Sequence, residues 1–375
     1  MKDQEAELIQ NAIHGVAEVT RGDRGLRVHR LRSNYAMHHE NDPLTQKVAD
    51  QASGARLVFE TLATRIEFGF RATGDKSIDG SFVSAPTTVN LTYAGKKLLF
   101  SHANPDRRVW SGNAVTHIET GEDAFAIFEL EETIEPRMVE LWLPHNSDIE
   151  ILSLSADAPL EAAKVLAPKW VHYGSSISHC MEADEPLGVW PVVAARELDL
   201  DLFSLGLAGS ANIEQFAARA IAELPADFIS LKLGINPVGG RNMTRRTFVP
   251  AVHAFLDTVR AAHPETPIVL ISPVICEALE DAPGPSGGGL DGKVKASEHR
   301  AEDWVGDLTL TMVREILEAA VARREDPNLA YLNGLELFGQ EDVGLMPDGL
   351  HPNAEGYRLI GERFAKIAKE REYLR

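Results

Sequence analysis

Residues 170–178 read WVHYGSSIS, an apolar segment that ends in a Gly/Ser turn. Apolar and aromatic residues closed by turn-forming residues predict a buried strand that leads directly into a loop. A second stretch, residues 348–352, reads DGLHP and places an acid and an imidazole three residues apart, just before a helical pattern. A serine, a histidine and a carboxylate are the side chains that serine-dependent acyl transfer requires.

The sequence around the first stretch alternates strand-like and helix-like segments. Apolar runs of strand length predict strands at residues 169–173, 202–207, 227–233, 267–272 and 329–333. Helical periodicity predicts helices at residues 189–198, 211–224, 247–262, 308–324 and 353–371. This alternation implies right-handed crossovers and a parallel sheet that is covered on both faces. We therefore predict a flavodoxin-like α/β domain at residues 165–375, built on a five-stranded parallel sheet.

Residues 55–157 show a different period. Apolar side chains recur at every second position, as in Ile66, Phe68 and Phe70, with polar side chains between them. The breaks between these segments are short and turn-like, and no long helical pattern interrupts them. The pattern predicts antiparallel strands in a β-sandwich or jelly roll. We assign this domain to residues 1–160.

Candidate reactive groups follow several of the predicted strands of the α/β domain. In open α/β sheets, such groups collect beyond the carboxyl ends of the strands. Ser176 follows the first strand, Gly209 the second and Asn236 the third. Each also has a structural interpretation: Gly209 can serve a tight turn, Asn236 can cap the loop ahead of a proline, and the Asp-x-x-His motif can cap a helix.

The order and spacing of four short blocks resemble the SGNH, or GDSL-like, hydrolase family. The blocks are Gly-Ser-Ser-Ile at 174–177, Gly-Leu-Ala-Gly at 206–209, Gly-Ile-Asn at 234–236 and Asp-Gly-Leu-His-Pro at 348–352. The resemblance covers essentially all of residues 165–375. The whole chain also resembles two-domain bacterial members of the family that carry an N-terminal β-sandwich.

The resemblance implies a role for each block. Ser176 would be the nucleophile, with His351 as its base and Asp348 as the acid that orients the base. The backbone N–H groups of Ser176 and Gly209, with the Asn236 side chain, would form the oxyanion hole.

Some positions depart from the family pattern. Ser175 stands where Asp is usual, and Pro237 follows Asn236 where Asp is typical. Directly after the second block, Ala211 intervenes between Ser210 and Asn212. None of these changes removes a catalytic atom. Two histidines flank the serine turn: His172 is expected to be a core or interface histidine, and His179 is a candidate substrate-pocket residue.

These inferences lead to an enzyme as the expected function. We expect a serine ester hydrolase that cleaves small acyl esters, acetyl esters on carbohydrates above all, and that needs no metal or organic cofactor. An acyltransferase and a thioesterase or lipase-like enzyme are the alternatives within the family. A non-catalytic carbohydrate-binding protein is the alternative outside enzymes.

Composition limits the partners. A formal net charge of −19 disfavours binding to nucleic acid and to anionic membrane surfaces, since both recruit clustered Lys and Arg. The first residues carry acids where a signal peptide has a basic start, so a cytoplasmic location is expected. No run of apolar residues reaches the ~18 that a membrane span requires. The apolar face of the sandwich leaves homo-oligomer formation open.

A long insertion is expected to act as an active-site flap. Residues 283–303 join a Pro/Gly-rich segment to a charged run, between the fourth predicted strand and its helix. Insertions of this length without regular structure are often lids or disordered segments, and the lid is the expectation favoured here.

Overall fold

The computed structural model describes residues 1–38, 40, 42–289, 291–298 and 305–374. The chain divides into two compact units. The first comprises Met1–Ala167, Asp184–Val189 and Asp201–Ser204, and the second comprises Pro168–Ala183, Trp190–Leu200 and Leu205–Arg375. Among the described helices, none is both long enough and apolar enough to cross a membrane.

The described residues of 1–167 form two α-helices and thirteen strands. The helices are α1 (Asp3–Ala12) and α2 (Pro43–Asp50). The strands are β1 (Ile13–His14), β2 (Glu18–Arg21), β3 (Leu26–His29), β4 (Arg56–Thr61), β5 (Arg65–Ser77), β6 (Thr87–Tyr93), β7 (Lys96–His102), β8 (Asp106–Ser111), β9 (Ala114–Glu119), β10 (Ala124–Glu129), β11 (Arg137–Trp142), β12 (Asp148–Ala156) and β13 (Leu160–Ala162).

These strands build two sheets around a shared apolar core. One sheet has the order β1-β4-β11-β6-β7 with β13 on β4, and the other has β2-β3-β12-β5-β8-β9 with β10 on β5. Phe59 from the first sheet and Phe68 and Phe70 from the second are fully buried in one cluster. The predicted sandwich is confirmed, although β5 and β8 pair in parallel, so the pairing is not wholly antiparallel.

Strand β6 departs from the half-buried pattern that its alternation suggests. All seven of its residues are buried, including the polar Asn90. The Asn90 side chain donates to Glu185 Oε2 at 3.0 Å and accepts the backbone N–H of Leu187 at 3.2 Å. Both partners lie in Asp184–Val189, which belongs to the same unit. A segment distant in sequence therefore covers the polar face, and hydrogen bonds make its burial tolerable.

The remaining strands and helices belong to the α/β part of the chain. The strands are β14 (Lys169–Gly174), β15 (Asp201–Gly206), β16 (Phe228–Lys232), β17 (Ile268–Ile271), β18 (Ser286–Gly288), β19 (Val294–Ala296) and β20 (Leu329–Leu332). The helices are α3 (Ser176–His179), α4 (Trp190–Leu198), α5 (Gln215–Ala222), α6 (Ile235–Gly239), α7 (Arg245–Ala262), α8 (Leu310–Arg324) and α9 (Ala354–Glu370).

Five strands form the central sheet in the order β15-β14-β16-β17-β20. This is the flavodoxin-like order, in which the first strand lies beside the second and the third. The registers of β14–β16, β16–β17 and β17–β20 are parallel. The five predicted strands and five predicted helices are confirmed, with ends shifted by a few residues. The sequence did not predict the short helices α3 and α6 or the β18–β19 hairpin.

Aromatic packing fixes the last helix on the first strand of this sheet. Trp170 on β14 stacks on Phe364 of α9, with ring centroids 5.2 Å apart and planes at 5°. Trp190 on α4 packs against both rings. Such pairs add about 0.5–1.5 kcal/mol each beyond the burial of their area. Because β14 leads into the serine turn and α9 follows the DGLHP loop, this packing brings the two motifs to one edge of the sheet.

Candidate active site

The serine turn is closely packed from its first residue. Gly174 ends β14, and a Cβ at this position would lie 2.2 Å from Ser178 Oγ, so a larger residue would displace the turn. Ser175 is extended and precedes α3, which begins at Ser176. Ser175 and Ser178 are 1% and 0% exposed, whereas Ser176 is only half-buried. Of the three serines, Ser176 therefore offers its hydroxyl to a substrate.

A chain of hydrogen bonds connects Ser176 to an acid through His351. The Ser176 hydroxyl donates to His351 Nε2 at 2.9 Å, although the two residues are 175 positions apart in sequence. His351 Nδ1–H donates to Asp348 Oδ2 at 2.7 Å. Asp348 Oδ1 accepts the backbone N–H groups of Leu350 at 2.9 Å and His351 at 2.7 Å. The backbone of residues 348–351 therefore fixes the Asp348 carboxylate, and the carboxylate fixes the orientation of the His351 ring.

The ionisation of this pair suits a base and its orienting acid. Burial opposes the charge on Asp348, but hydrogen bonds from the His351 ring and backbone lower the pKa of Asp348 to about 2. Burial also disfavours the imidazolium, yet the Asp348 hydrogen bond and the Glu182 charge raise the pKa of His351 above its ordinary value. An ionised Asp348 keeps the proton on Nδ1, which leaves the Nε2 lone pair for Ser176.

The segment after β15 contacts both the serine turn and the loop after β16. Leu207 N–H donates to Gly174 O at 2.7 Å, and Ala211 N–H donates to Asn236 Oδ1 at 3.1 Å. Gly209 lies in the segment after β15 at φ +72°, a conformation that L side chains rarely adopt. Since Oδ1 of Asn236 accepts from Ala211, the Nδ2 donors of the amide are left for a ligand. Among the described residues, no acceptor takes the backbone N–H of Ser176 or Gly209. These three groups are the predicted oxyanion donors.

A buried histidine is hydrogen-bonded to α3, the nucleophile helix, which begins at Ser176. His172 on β14 is hydrogen-bonded to Ser178 Oγ at 2.8 Å and to Ser230 Oγ at 2.7 Å. Trp170 Nε1–H donates to the same Ser230 Oγ at 2.9 Å. Burial and the nearby Lys232 charge lower the pKa of His172 to about 3, so its ring is neutral at physiological pH. The expectation that His172 is a core residue is confirmed.

His179 does not offer a surface to a ligand in this conformation. It ends α3 and is 0% exposed, so its side chain lies in the packing around the nucleophile helix. The sequence placed it at the crevice because it is one turn beyond Ser176. That distance along the chain does not reveal that α3 is a single turn, after which Cys180 takes a left-handed conformation.

The predicted flap contacts the loop that carries Asp348. Its described residues include strands β18 and β19, which pair antiparallel, and Val294 N–H donates to Asp348 O at 2.6 Å. Position 290 and residues 299–303 of the predicted flap lie outside the described residues. Its role as a lid stays a prediction.

The sequence did not point to Glu182, which lies near His351, or to Tyr357, which is hydrogen-bonded to Glu182. Glu182, three residues after α3, places Oε1 at 3.9 Å from His351 Nδ1. Tyr357 on α9 donates its hydroxyl to Glu182 Oε2 at 2.7 Å. The proximity of Glu182 to Ser176 in sequence is the one signal that could have drawn attention to it.

Lys232 is a buried cation near the site. It is 2% exposed, and no described residue accepts a hydrogen bond from its Nζ. Burial and the Arg314 charge lower its pKa to about 8, from an ordinary value of 10.5. The folded state therefore disfavours the ammonium form.

Lys232→Met is expected to stabilise the protein at pH 7, because methionine fills similar space without the desolvated charge. The folded pKa lies below the unfolded one, so the cost of Lys232 is full below about pH 8 and vanishes above about pH 10.5. The cost at neutral pH is about 3 kcal/mol. Thermal denaturation of both proteins measures it, with a higher melting temperature for the variant at pH 7 and a smaller difference at pH 10. A difference that does not shrink with pH would contradict this.

A flavodoxin-like sheet with serine, glycine, asparagine and Asp-x-x-His at successive strand ends defines the SGNH class of hydrolases. The chain belongs to the GDSL-like lipase/acylhydrolase family, whose profile matches residues 172–359. Among curated proteins, no sequence matches this chain.

Solved structures of similar fold extend over both parts of the chain. Salicylyl-acyltransferase SsfX3 from a tetracycline biosynthetic pathway is 25% identical, with a TM-score of 0.78 over 97% of this chain and 96% of that chain. A protein from Bacteroides ovatus described as a GDSL-like lipase is 19% identical, with a TM-score of 0.68 over 97% and 96%. A family two carbohydrate esterase from Clostridium thermocellum, in complex with cellohexaose, is 15% identical, with a TM-score of 0.60 over 96% and 100%. The last two likenesses concern the fold alone.

Proposed function

We propose that the protein is a serine carboxylic-ester hydrolase that removes small acyl groups, acetyl above all, from carbohydrate hydroxyls. The observation that carries the proposal is the hydrogen-bonded chain from the accessible Ser176 through His351 to Asp348. Nucleophile, base and acid stand at 2.9 Å and 2.7 Å, the distances that proton transfer along such a triad needs. Membership in the acylhydrolase family supports the same reaction class.

The first half-reaction forms an acyl-enzyme. Ser176 Oγ attacks the acyl carbon while its proton passes to His351 Nε2, and the carbonyl electron pair moves onto the oxygen. The oxyanion accepts hydrogen bonds from the N–H groups of Ser176 and Gly209 and from Asn236 Nδ2. As the tetrahedral intermediate collapses, His351 gives its proton to the departing alcohol oxygen.

The second half-reaction restores the enzyme. Water loses a proton to His351 and attacks the acyl carbon, and Ser176 leaves with that proton as the acid is released. Asp348 stays ionised throughout, since its pKa is about 2, and stabilises each imidazolium that forms.

The proposed substrate rests on the neighbouring structures. The Clostridium thermocellum esterase is a carbohydrate esterase with cellohexaose bound, and it matches along nearly all of the chain. Its identity is too low to transfer a pocket, so acetylated oligosaccharides are the substrate class to assay first.

Acyl transfer is the second candidate. SsfX3, the 25% identical structure, is by its description an acyltransferase. Transfer uses the same acyl-enzyme and replaces water with an acceptor alcohol. With p-nitrophenyl acetate, a hydrolase releases nitrophenol and acetate in equal amounts. A transferase given a sugar acceptor releases less acetate than nitrophenol.

A fluorophosphonate probe tests the serine assignment. It should label the protein at one site, and peptide mass spectrometry should place the adduct on Ser176. Ser175→Ala is the matched control, because Ser175 is buried and its Oγ contacts no hydrogen-bond partner among the described residues. That variant should label normally, whereas Ser176→Ala should not.

The same probe separates the enzyme from an idle carbohydrate-binding scaffold. A scaffold without an activated serine would not react. Labelling that persists in Ser176→Ala would overturn the assignment of the nucleophile.

A further inference from the structure

His351 faces two carboxylates. Asp348 Oδ2 accepts from Nδ1 at 2.7 Å, and Glu182 Oε1 lies 3.9 Å from the same nitrogen. The second distance is long for a hydrogen bond but close for two opposite charges. When the ring becomes an imidazolium, two negative charges therefore lie on its Nδ1 side.

Tyr357 holds Glu182 in that place. Its hydroxyl donates to Glu182 Oε2 at 2.7 Å, which leaves Oε1 for the imidazole. Tyr357 is fully buried on α9, six residues after His351. Burial raises the pKa of the Tyr357 hydroxyl well above its ordinary value, so it remains a donor at every pH at which the enzyme would work.

Glu182 and Asp348 act on the His351 ring in different ways. The Glu182 side chain is 42% exposed, so water screens its charge. Asp348 acts through a direct hydrogen bond, and Glu182 acts through space. Its effect should therefore be modest in the intact site and larger once Asp348 cannot accept the Nδ1 proton.

We propose that Glu182 is a positioning residue of the same site, an inference that rests on the proposed hydrolase function. It stabilises the His351 imidazolium at each proton transfer, and it keeps the proton on Nδ1 when Asp348 is disabled. Glu182 follows the nucleophile helix by three residues, so one short segment supplies both the nucleophile and a carboxylate for its base.

A matched pair of variants separates this role from a merely structural one. Glu182→Gln removes the charge, but its amide oxygen can still accept from Tyr357. Tyr357→Phe removes the hydrogen bond and keeps the charge. If Glu182 only anchors α9, Tyr357→Phe should be the more damaging change, and neither variant should alter the pH dependence.

The pH profile of kcat/KM for p-nitrophenyl acetate is the decisive measurement. Glu182→Gln should lower kcat about two- to fivefold and move the acid limb to lower pH by about half a unit, because His351 loses a favourable charge. Tyr357→Phe should move the limb less. A limb that stays in place in Glu182→Gln overturns the proposal, whatever happens to kcat.

A double-mutant cycle tests whether Glu182 takes over the role of Asp348 when Asp348 is disabled. In a chymotrypsin-like triad, Asp→Asn lowers kcat by about 10⁴. Here Asp348→Asn should cost about 10²–10³, and adding Glu182→Gln should remove at least a further tenfold. If Glu182→Gln lowers kcat by the same factor in both backgrounds, Glu182 does not substitute for Asp348. In Ser176→Ala all these rates must first fall to the small residual level that the oxyanion donors alone support; otherwise the proposed function fails, and not this inference.

Discussion

Replacing Ser176 by alanine is expected to lower kcat for acetyl-ester hydrolysis by about six orders of magnitude. Without its Oγ, no acyl-enzyme forms, and neither His351 nor Asp348 can act on the substrate through it. The oxyanion donors would remain, so a residual rate of about 10³–10⁴ over the uncatalysed reaction is expected. Steady-state kinetics with p-nitrophenyl acetate, with Ser175→Ala assayed in parallel, measures the difference.

The same steady-state kinetics, measured over a range of pH, report the protonation of His351. His351 must be neutral to accept the Ser176 proton, so kcat/KM should fall as the pH drops through its pKa. The Asp348 hydrogen bond and the Glu182 charge hold that pKa above the ordinary value of 6.5, so the acid limb should lie above pH 6.5. A limb well below pH 6.5, or a rate that does not depend on Ser176, would contradict the proposed mechanism.

Replacing Asn236 by alanine should lower kcat by about 10²–10³ with little change in KM. The amide would donate to an oxygen that becomes charged only in the tetrahedral intermediate, so its loss should affect the chemical step and not substrate binding. The alanine variant also leaves the Ala211 N–H without its acceptor, which is a structural change at the same place.

Asn236→Asp separates these two effects. The carboxylate keeps an oxygen for Ala211 N–H but replaces the donor with an acceptor that repels the oxyanion. If Asn236 stabilises the oxyanion, Asn236→Asp should be at least as inactive as Asn236→Ala. If Asn236 only caps the loop, Asn236→Asp should keep nearly full activity, and the assignment would be wrong.

The sequence predicted the fold class because its evidence is local. The alternation in Ile66, Phe68 and Phe70 and the apolar strands such as β14 reflect which side chains face a core, a property of neighbouring residues. The confirmed family adds a reason why the four blocks occur in this order. The roles of Ser176, Gly209, Asn236, His351 and Asp348 stay predictions, now supported by geometry and open to the experiments above.

Other features could not be predicted, since they depend on contacts between distant segments. Asn90 reads as a solvent-facing strand residue and is buried by Glu185 and Leu187. His179 reads as a crevice residue and is enclosed, because α3 ends after one turn. Glu182 belongs to none of the four blocks, and only the fold brings it to His351.

The sequence alone determined the types and order of the strands and helices and the side chains available at the strand ends, because apolar period and turn chemistry are written in consecutive residues. The tertiary structure alone decided that Ser176 and His351, 175 positions apart, stand at 2.9 Å, and that the base lies beside two carboxylates. These distances depend on packing between strands and helices, such as that of Trp170 against Phe364, which no local pattern encodes.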